Sequence, residues 1–400
     1  MISNLVSRIR EDVSRALSPT SPLTALSRLS GPKGGGDASS PPLRGPLSKG
    51  RLGPPYGPHS VKETPSESHI GADQGLDVPP KAIVLAVSGG PDSLCLADAV
   101  LAISLRLGIT PIIAHLDHGL RDIAARDDAE FVRTFAQARG VPCIVGHADV
   151  AAHAQSHKLS IEVAARDVRY AFLARTAEVH SAQIVALAHH ADDQAETVLL
   201  RLLRGTGLHG LRGMQMHSPL PDASHLTAVR PLLHISRADI ERYCAECNLQ
   251  PRHDATNADL RHTRNRVRHE LLPMLEEYNP NIRGVLTRLA DTVTSDLEII
   301  EHATRETFER LAHVTDREGV AVDRRAWRGL PAGLQRAVLR ESVLRLRGDT
   351  TNLGYAAGEE AREVLNSDAG MGEIALMSDV SVLVHWKEFV LKGIESESAI

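Results

Sequence analysis

Aromatic residues are scarce, at 3% of the 400-residue chain, which disfavours RNA-binding modules built on aromatic stacking platforms. Only seven of the 45 basic residues are lysine. Arginine suits bidentate phosphate recognition, although genomic base composition produces the same bias. The four cysteines, Cys95, Cys143, Cys244 and Cys247, are too few and too scattered for a disulfide framework, so a reducing compartment is expected. No apolar run approaches the roughly 18–20 residues of a membrane span, which excludes an integral membrane protein. A net charge of −5 excludes a wholly basic nucleic-acid coat and leaves any RNA site to a local patch.

What is present is enough apolar residue, 42%, for most of the chain to fold, in about two or three domains. The exception is the start. The first 80 residues hold twelve of the 22 prolines and ten of the 30 glycines but one aromatic, Tyr56, too little apolar surface to offset ordering entropy. A disordered extension over 1–78 is expected. Within it Leu5, Ile9, Val13 and Leu17, spaced by four, suit a short amphipathic helix. The Ser- and Arg-rich stretch that follows faintly resembles a transit peptide, a reading weakened by Glu11 and Asp12.

From Lys81 apolar runs alternate with helical stretches. Strands are predicted over 83–87, 111–116, 142–147 and 184–188, with 229–235 as a fifth; helices are predicted over 92–107, 123–139, 161–180 and 193–204. Such alternation predicts an α/β domain over 79–235, its parallel sheet covered on both faces and its ligands at the carboxyl ends of the strands. Beyond it, 236–300 reads as a helical linker and 301–400 as a smaller, mainly helical domain with a weak hairpin near 373–385.

The first strand runs into Ser88-Gly89-Gly90-Pro91-Asp92-Ser93 and then a helix. Two glycines let the backbone approach an anion, Pro91 suits a first helical position, and the helix-start amides point at a phosphate. Without Gly-Lys-Ser/Thr this is not the Walker loop. The second strand ends in Leu116-Asp117-His118-Gly119-Leu120-Arg121, a carboxylate and an imidazole beside that loop or, alternatively, a capped turn. Glu162, Arg166, Arg169 and Tyr170 follow at helical spacing, for which a solvated salt bridge is the plain account.

The fourth strand ends in Ala188-His189-His190-Ala191-Asp192-Asp193-Gln194-Ala195-Glu196-Thr197. His189, Asp193 and Glu196 at i, i+4 and i+7 are expected on one face, where paired carboxylates suit an ammonium or Mg²⁺ and His moves protons. Zinc is disfavoured, because no third ligand lies near. Residues 252–269 carry five Arg and three His against two Asp, a basic patch suited to a phosphate backbone. Cys244 and Cys247 form one isolated CxxC, a weak metal or redox signal.

SGGPDS resembles the pyrophosphate loop of the N-type ATP pyrophosphatases, which split ATP between its α and β phosphates. The ordered set SGGPDS, LDHGLR, EVAARDVRY, AHHADDQAETVLLRLLRG, GLRG, RPLL and DATNADLRHTRNRVRHELLP is similar to the tRNA(Ile)-lysidine synthetase family. The likeness is strong over about 80–290 and looser beyond. His262 stands where the family usually has Tyr, and the N-terminal extension has no counterpart. The resemblance implies an adenine nucleotide alpha hydrolase-like (PP-loop) domain and a tRNA-binding part, acting on ATP with Mg²⁺, L-lysine and the CAU-anticodon isoleucine tRNA in the cytoplasm, in a possible homodimer. It implies that Ser88, Gly89, Gly90, Pro91, Asp92, Ser93, Asp117 and His118 hold ATP, with Asp92 also on Mg²⁺. Asp193 and Glu196 would take the lysine amine, Arg169 its carboxylate, and His189 a proton, while Arg204, Arg264, Asn265 and Arg268 would contact tRNA. The alternatives are a PP-loop tRNA thiolase, which usually needs more cysteines, and a non-catalytic RNA-binding relative. A glutamine-dependent amidotransferase would need a glutaminase domain, and none is apparent.

Overall fold

The computed structural model describes residues 2–17, 81–119, 122–252, 263–315, 319–350, 352–368 and 370–394. They divide into two compact units, 1–290 and 291–400. In the first, strands β1 (Lys81–Ala86), β2 (Ile109–Asp117), β3 (Cys143–His147), β4 (Ile184–Ala186), β5 (His217–Leu220) and β6 (Ala223–Val229) form one sheet in the order β3-β2-β1-β4-β6-β5. All neighbours run parallel except β5, which pairs antiparallel with β6 at the edge. Apolar residues occupy both faces of the strands: Ile83, Leu85 and Ile113 face one core, Val84, Ala114 and Val185 the other. That two-sided burial is why these strands read as continuous apolar runs.

The strand order reverses between β1 and β4, so the loops leaving those two strands flank the switch point where ligands bind in open α/β sheets. The fifth strand differs from its expected place at 229–235. Pro231 has no N–H to give a ladder, so the strand stops at Val229, and Leu232, Leu233 and Ile235 pack into the core without strand pairing. Its partner β5 contains Pro219, tolerated because β5 is an edge. The turn between them uses Asp222 at φ +57°.

Within the N-terminal extension, the amphipathic helix suited by the four-residue apolar spacing is present, so residues 2–17 depart from disorder over 1–78. Helix Ile2–Leu17 packs Leu5, Ile9 and Val13 into the same core as helix Pro91–Leu107. The Lys81 ammonium donates to the Leu17 carbonyl at 2.7 Å, tying the end of this helix to the start of β1. The rest of the extension, 18–80, lies outside the described residues.

The second unit holds the expected helices, Ala332–Arg347 and Tyr355–Asn366 among them. The hairpin is present as β9 (Gly372–Met377) and β10 (Val380–Val384). With β7 (Ala312–Val314), β8 (Val320–Asp323) and β11 (Glu388–Gly393) it makes a five-stranded antiparallel sheet, more strand than the sequence pattern shows. Its core centres on Trp327, edge-on to Phe389 at 5.3 Å. The buried Arg324 guanidinium donates to the carbonyls of Val364, Leu365 and Ser367, closing the C-terminus of helix Tyr355–Asn366.

Candidate active site

β1 delivers the chain into a tight loop before helix Pro91–Leu107. Gly89 has φ +93°, a conformation that side chains rarely adopt. The Ser88 and Gly89 N–H groups both donate to Ser93 Oγ at 3.2 Å, and that hydroxyl donates to the Gly90 carbonyl at 3.0 Å. Successive amides converging on one oxygen form a nest suited to an anion. Pro91 opens the helix, where its missing N–H costs nothing. The Arg252 N–H holds the Gly89 carbonyl at 3.0 Å, so the segment leading to the basic stretch is docked on this loop.

Asp92, in the first turn, points toward the loop after β4. Its Oδ1 is buried without a hydrogen-bond partner, and its Oδ2 is 3.5 Å from the Arg237 guanidinium. Burial raises its pKa, with His190 and Arg237 opposing. An orphaned buried carboxylate oxygen beside a phosphate nest fits Mg²⁺, which is held by one or two carboxylates plus substrate phosphates. Among the described residues no group of three or more potential metal ligands occurs.

Helix Ala191–Leu203 begins with His190 as its cap. His189 therefore lies before the helix, and the three-residue face expected for His189, Asp193 and Glu196 reduces to the i, i+3 pair Asp193 and Glu196. Both are buried. Glu196 accepts from Arg264 Nε at 2.8 Å and from Arg268 Nε at 2.5 Å and Nη2 at 3.1 Å. Asp193 Oδ1 accepts from Arg264 Nη2 at 2.9 Å and Arg268 Nη2 at 3.2 Å, and its Oδ2 from the His190 N–H at 3.2 Å. Burial works against ionisation of Asp193, but His190 and Arg264 outweigh it and hold the pKa down.

This pairing changes the reading of the basic stretch. Arg252 pairs with Asp128, Arg266 with Glu270, and Arg264 and Arg268 with the acid pair. The acids are mostly distant in sequence, so charge counting along 252–269 overstated the free positive charge. Asn265 is half-buried, between Arg264 and Arg266 in the sequence of helix Thr263–Arg266. Arg268 lies in a single π-helical turn, Val267–Leu271, a departure common at functional sites. Residues 253–262, with His253, Asp254 and His262, lie outside the described residues.

His189 carries a buried Nδ1 with no partner. Burial pushes its pKa far down, Asp193 opposing and Arg230, Arg169 and Arg264 reinforcing, so the ring is a neutral base at pH 7. His190, 2% exposed, shifts in the opposite direction. Its nitrogens lie 3.4 Å from Asp193, 3.6 Å from Asp192 and 3.7 Å from Asp92. These carboxylates overcome its burial and raise its pKa. It lies between the phosphate loop and the acid pair.

At the end of β2, Asp117 accepts from the Gly119 N–H at 2.8 Å and from the His147 ring at 3.0 Å, the capped-turn arrangement. His118 is half-buried, its Nδ1 unpartnered, and its pKa is lowered by burial and then by Arg169. Arg169 reaches both His118 and His189 electrostatically, while Arg204 caps helix Ala191–Leu203 at its C-terminus.

The sequence pattern of the PP-loop domain family (ATP_bind_3) matches residues 65–275. The chain belongs to the PP-loop family. Curated relatives include the tRNA(Ile)-lysidine synthases of Geobacter sulfurreducens, 36% identical over 79% of this chain and 66% of that protein, of Dehalococcoides mccartyi, 35% identical over 74% and 63%, and of Geobacillus kaustophilus, 36% identical over 67% and 57%. The chain thus spans about three-fifths of the length of these relatives. Among the described residues no helix is long and apolar enough to cross a membrane.

Of the anticipated PP-loop residues, the fold brings Ser88 to Ser93, His189, Asp193 and Glu196 to the switch point, with Arg264 and Arg268 on the acid pair. Sequence reasoning passed over His190, whose signal was only its place in the same His-His-Ala-Asp-Asp string. It also missed Arg201 and Arg230, each inside an apolar run, whose guanidiniums turn inward onto backbone carbonyls.

Proposed function

We propose that this PP-loop protein is a tRNA(Ile)-lysidine synthase, joining L-lysine to carbon 2 of the wobble cytidine of the CAU-anticodon isoleucine tRNA in the cytoplasm. The observation that carries the reading is a phosphate nest and a buried acid pair beside a neutral histidine at one switch point, in a chain 36% identical to curated enzymes of that name. In the first step cytidine oxygen 2 attacks the α-phosphorus of ATP and pyrophosphate leaves. In the second the lysine ε-amine attacks carbon 2 and AMP leaves.

The chain's own groups account for both steps. The Ser88 to Ser93 loop receives the departing pyrophosphate, whose charge develops against fixed amides. Asp92 would hold Mg²⁺, which supplies charge neutralisation on the phosphates when bound. Asp193 and Glu196 hold the lysine amine, which exchanges there with the Arg264 and Arg268 guanidiniums. His189, neutral and adjacent, accepts the proton that the amine loses on attack. Arg169 faces the lysine carboxylate, and Asp117 and His118 border the nucleotide.

The test incubates the protein with ATP, Mg²⁺, labelled lysine and two tRNAs differing only in the wobble base of a CAU anticodon. Label confined to the tRNA with the wobble cytidine is the expected result. Pyrophosphate release without label would refute lysine as nucleophile and turn attention to sulfur.

A further inference from the structure

Three carbonyls of the chain leaving β1, those of Val87, Gly89 and Gly90, are held from behind. The β1–β2 ladder ends with Ala86 opposite Ala114, and the Val87 N–H still donates to the Ala114 carbonyl at 2.9 Å. The Val87 carbonyl, where the chain leaves the sheet, is met at 2.9 Å by Nδ1 of His115 on β2. Further on, the Gly89 carbonyl accepts from the Arg252 N–H at 3.0 Å, and the Gly90 carbonyl from Ser93 Oγ and the Leu94 N–H, both at 3.0 Å.

His115 is buried. Burial lowers its pKa, with the Val87 bond and Asp128 opposing, so at pH 7 the ring is neutral and carries a single N–H. A carbonyl only accepts, which places that N–H on Nδ1 and makes the ring the donor. A peptide unit is planar, with its N–H directed opposite to its C=O. Holding the Val87 carbonyl therefore aims the next N–H along the chain, that of Ser88, which donates to Ser93 Oγ in the nest.

We infer that His115 is a positioning residue for the phosphate nest: through the Val87 carbonyl it fixes the direction of the Ser88 amide, and with it the affinity of the loop for the pyrophosphate portion of ATP. An amide already aimed at the anion stabilises its charge in full, whereas one that must first reorient loses part of that stabilisation. The inference rests on the proposed nucleotide at this loop and adds a residue that acts through the backbone.

The test titrates the full chain, as wild type, His115→Asn, His115→Gln and His115→Phe, with pyrophosphate, ATP and AMP in the presence of Mg²⁺ by isothermal calorimetry. His115→Asn keeps an N–H donor near the Nδ1 position, His115→Gln carries it further out, and His115→Phe removes it. His115→Asn should bind all three ligands within about twofold of wild type. His115→Gln and His115→Phe should bind ATP and pyrophosphate about five- to tenfold more weakly, the loss of one hydrogen bond, with AMP affinity unchanged. Should His115→Phe fail to fold by circular dichroism, the contrast between His115→Asn and His115→Gln carries the test. Equal weakening of ATP and AMP makes His115 a purely structural residue of the sheet and overturns the inference. Unchanged ATP and pyrophosphate binding in the two variants that lose the donor overturns it as well. If wild type binds neither ATP nor pyrophosphate, the nucleotide reading of the loop fails, and the inference with it.

Discussion

Glu196→Gln is the most informative single perturbation. The wild-type carboxylate is fully buried and accepts three charge-assisted hydrogen bonds from Arg264 and Arg268. The amide keeps the shape but presents N–H groups to guanidinium N–H groups, and leaves two cations facing Asp193 alone. Removing one partner from a buried ion pair costs about 3–5 kcal/mol. The two guanidiniums are 33% and 27% exposed and regain some hydration, which lowers the expected loss to about 2–3 kcal/mol. At about 2–4 °C per kcal/mol for a domain of this size, the first thermal transition should fall by about 4–12 °C. Differential scanning fluorimetry at low salt and in 1 M NaCl measures it. The fall should persist at high salt, since buried pairs are weakly screened. A fall below about 1 °C, or one that vanishes in salt, would refute the argument. Combined with Arg268→Gln, the second loss should be smaller than when Arg268→Gln stands alone, the signature of direct coupling.

Asp193→Asn should raise the lysine concentration needed for half-maximal rate more than that for ATP; equal effects in steady-state kinetics would count against its place on the amine. Asp192 is partly desolvated, but His190, the Arg237 N–H and Arg283 hold its pKa well below the carboxylate range. Its stabilisation is therefore complete above about pH 4 and is lost as pH falls through the lowered folded-state value. The stability gap between wild type and Asp192→Asn should be flat from about pH 5 to 7 and narrow toward pH 2 in denaturant titrations, and a gap that widens on acidification would reverse the sign. Ile9→Ala, which empties a fully buried position on the N-terminal helix, should cost about 2–5 kcal/mol. An unaltered melting temperature would show that this helix contributes nothing to the core.

Local order in the chain was enough to set the βα alternation, the Gly-Gly nest and the carboxyl-end loops, because those depend on apolar runs and turn residues adjacent in sequence. The four-residue spacing of Leu5, Ile9 and Val13 marked a helix in the same way, although nothing local showed that it docks on a sheet whose first strand starts more than sixty residues later. Pro231 was the legible sign that the run over 229–235 cannot be a strand, and the apolar pattern outweighed it. The roles of the charged residues belong to the tertiary structure. Arg264 and Arg268 count as free positive charge along the chain, and only the packing of helix Thr263–Arg266 and the π-helical turn after it on helix Ala191–Leu203 turns them onto Asp193 and Glu196. Arg201 and Arg230, from separate segments, turn onto the backbone carbonyls of Gly210, Gly213 and Gln215. His189 and His190, neighbours in sequence, shift in opposite directions: burial dominates at His189, while Asp192, Asp193 and Asp92 outweigh it at His190. Charge interactions act through space and depend on burial, so partners brought together from distant elements decide them.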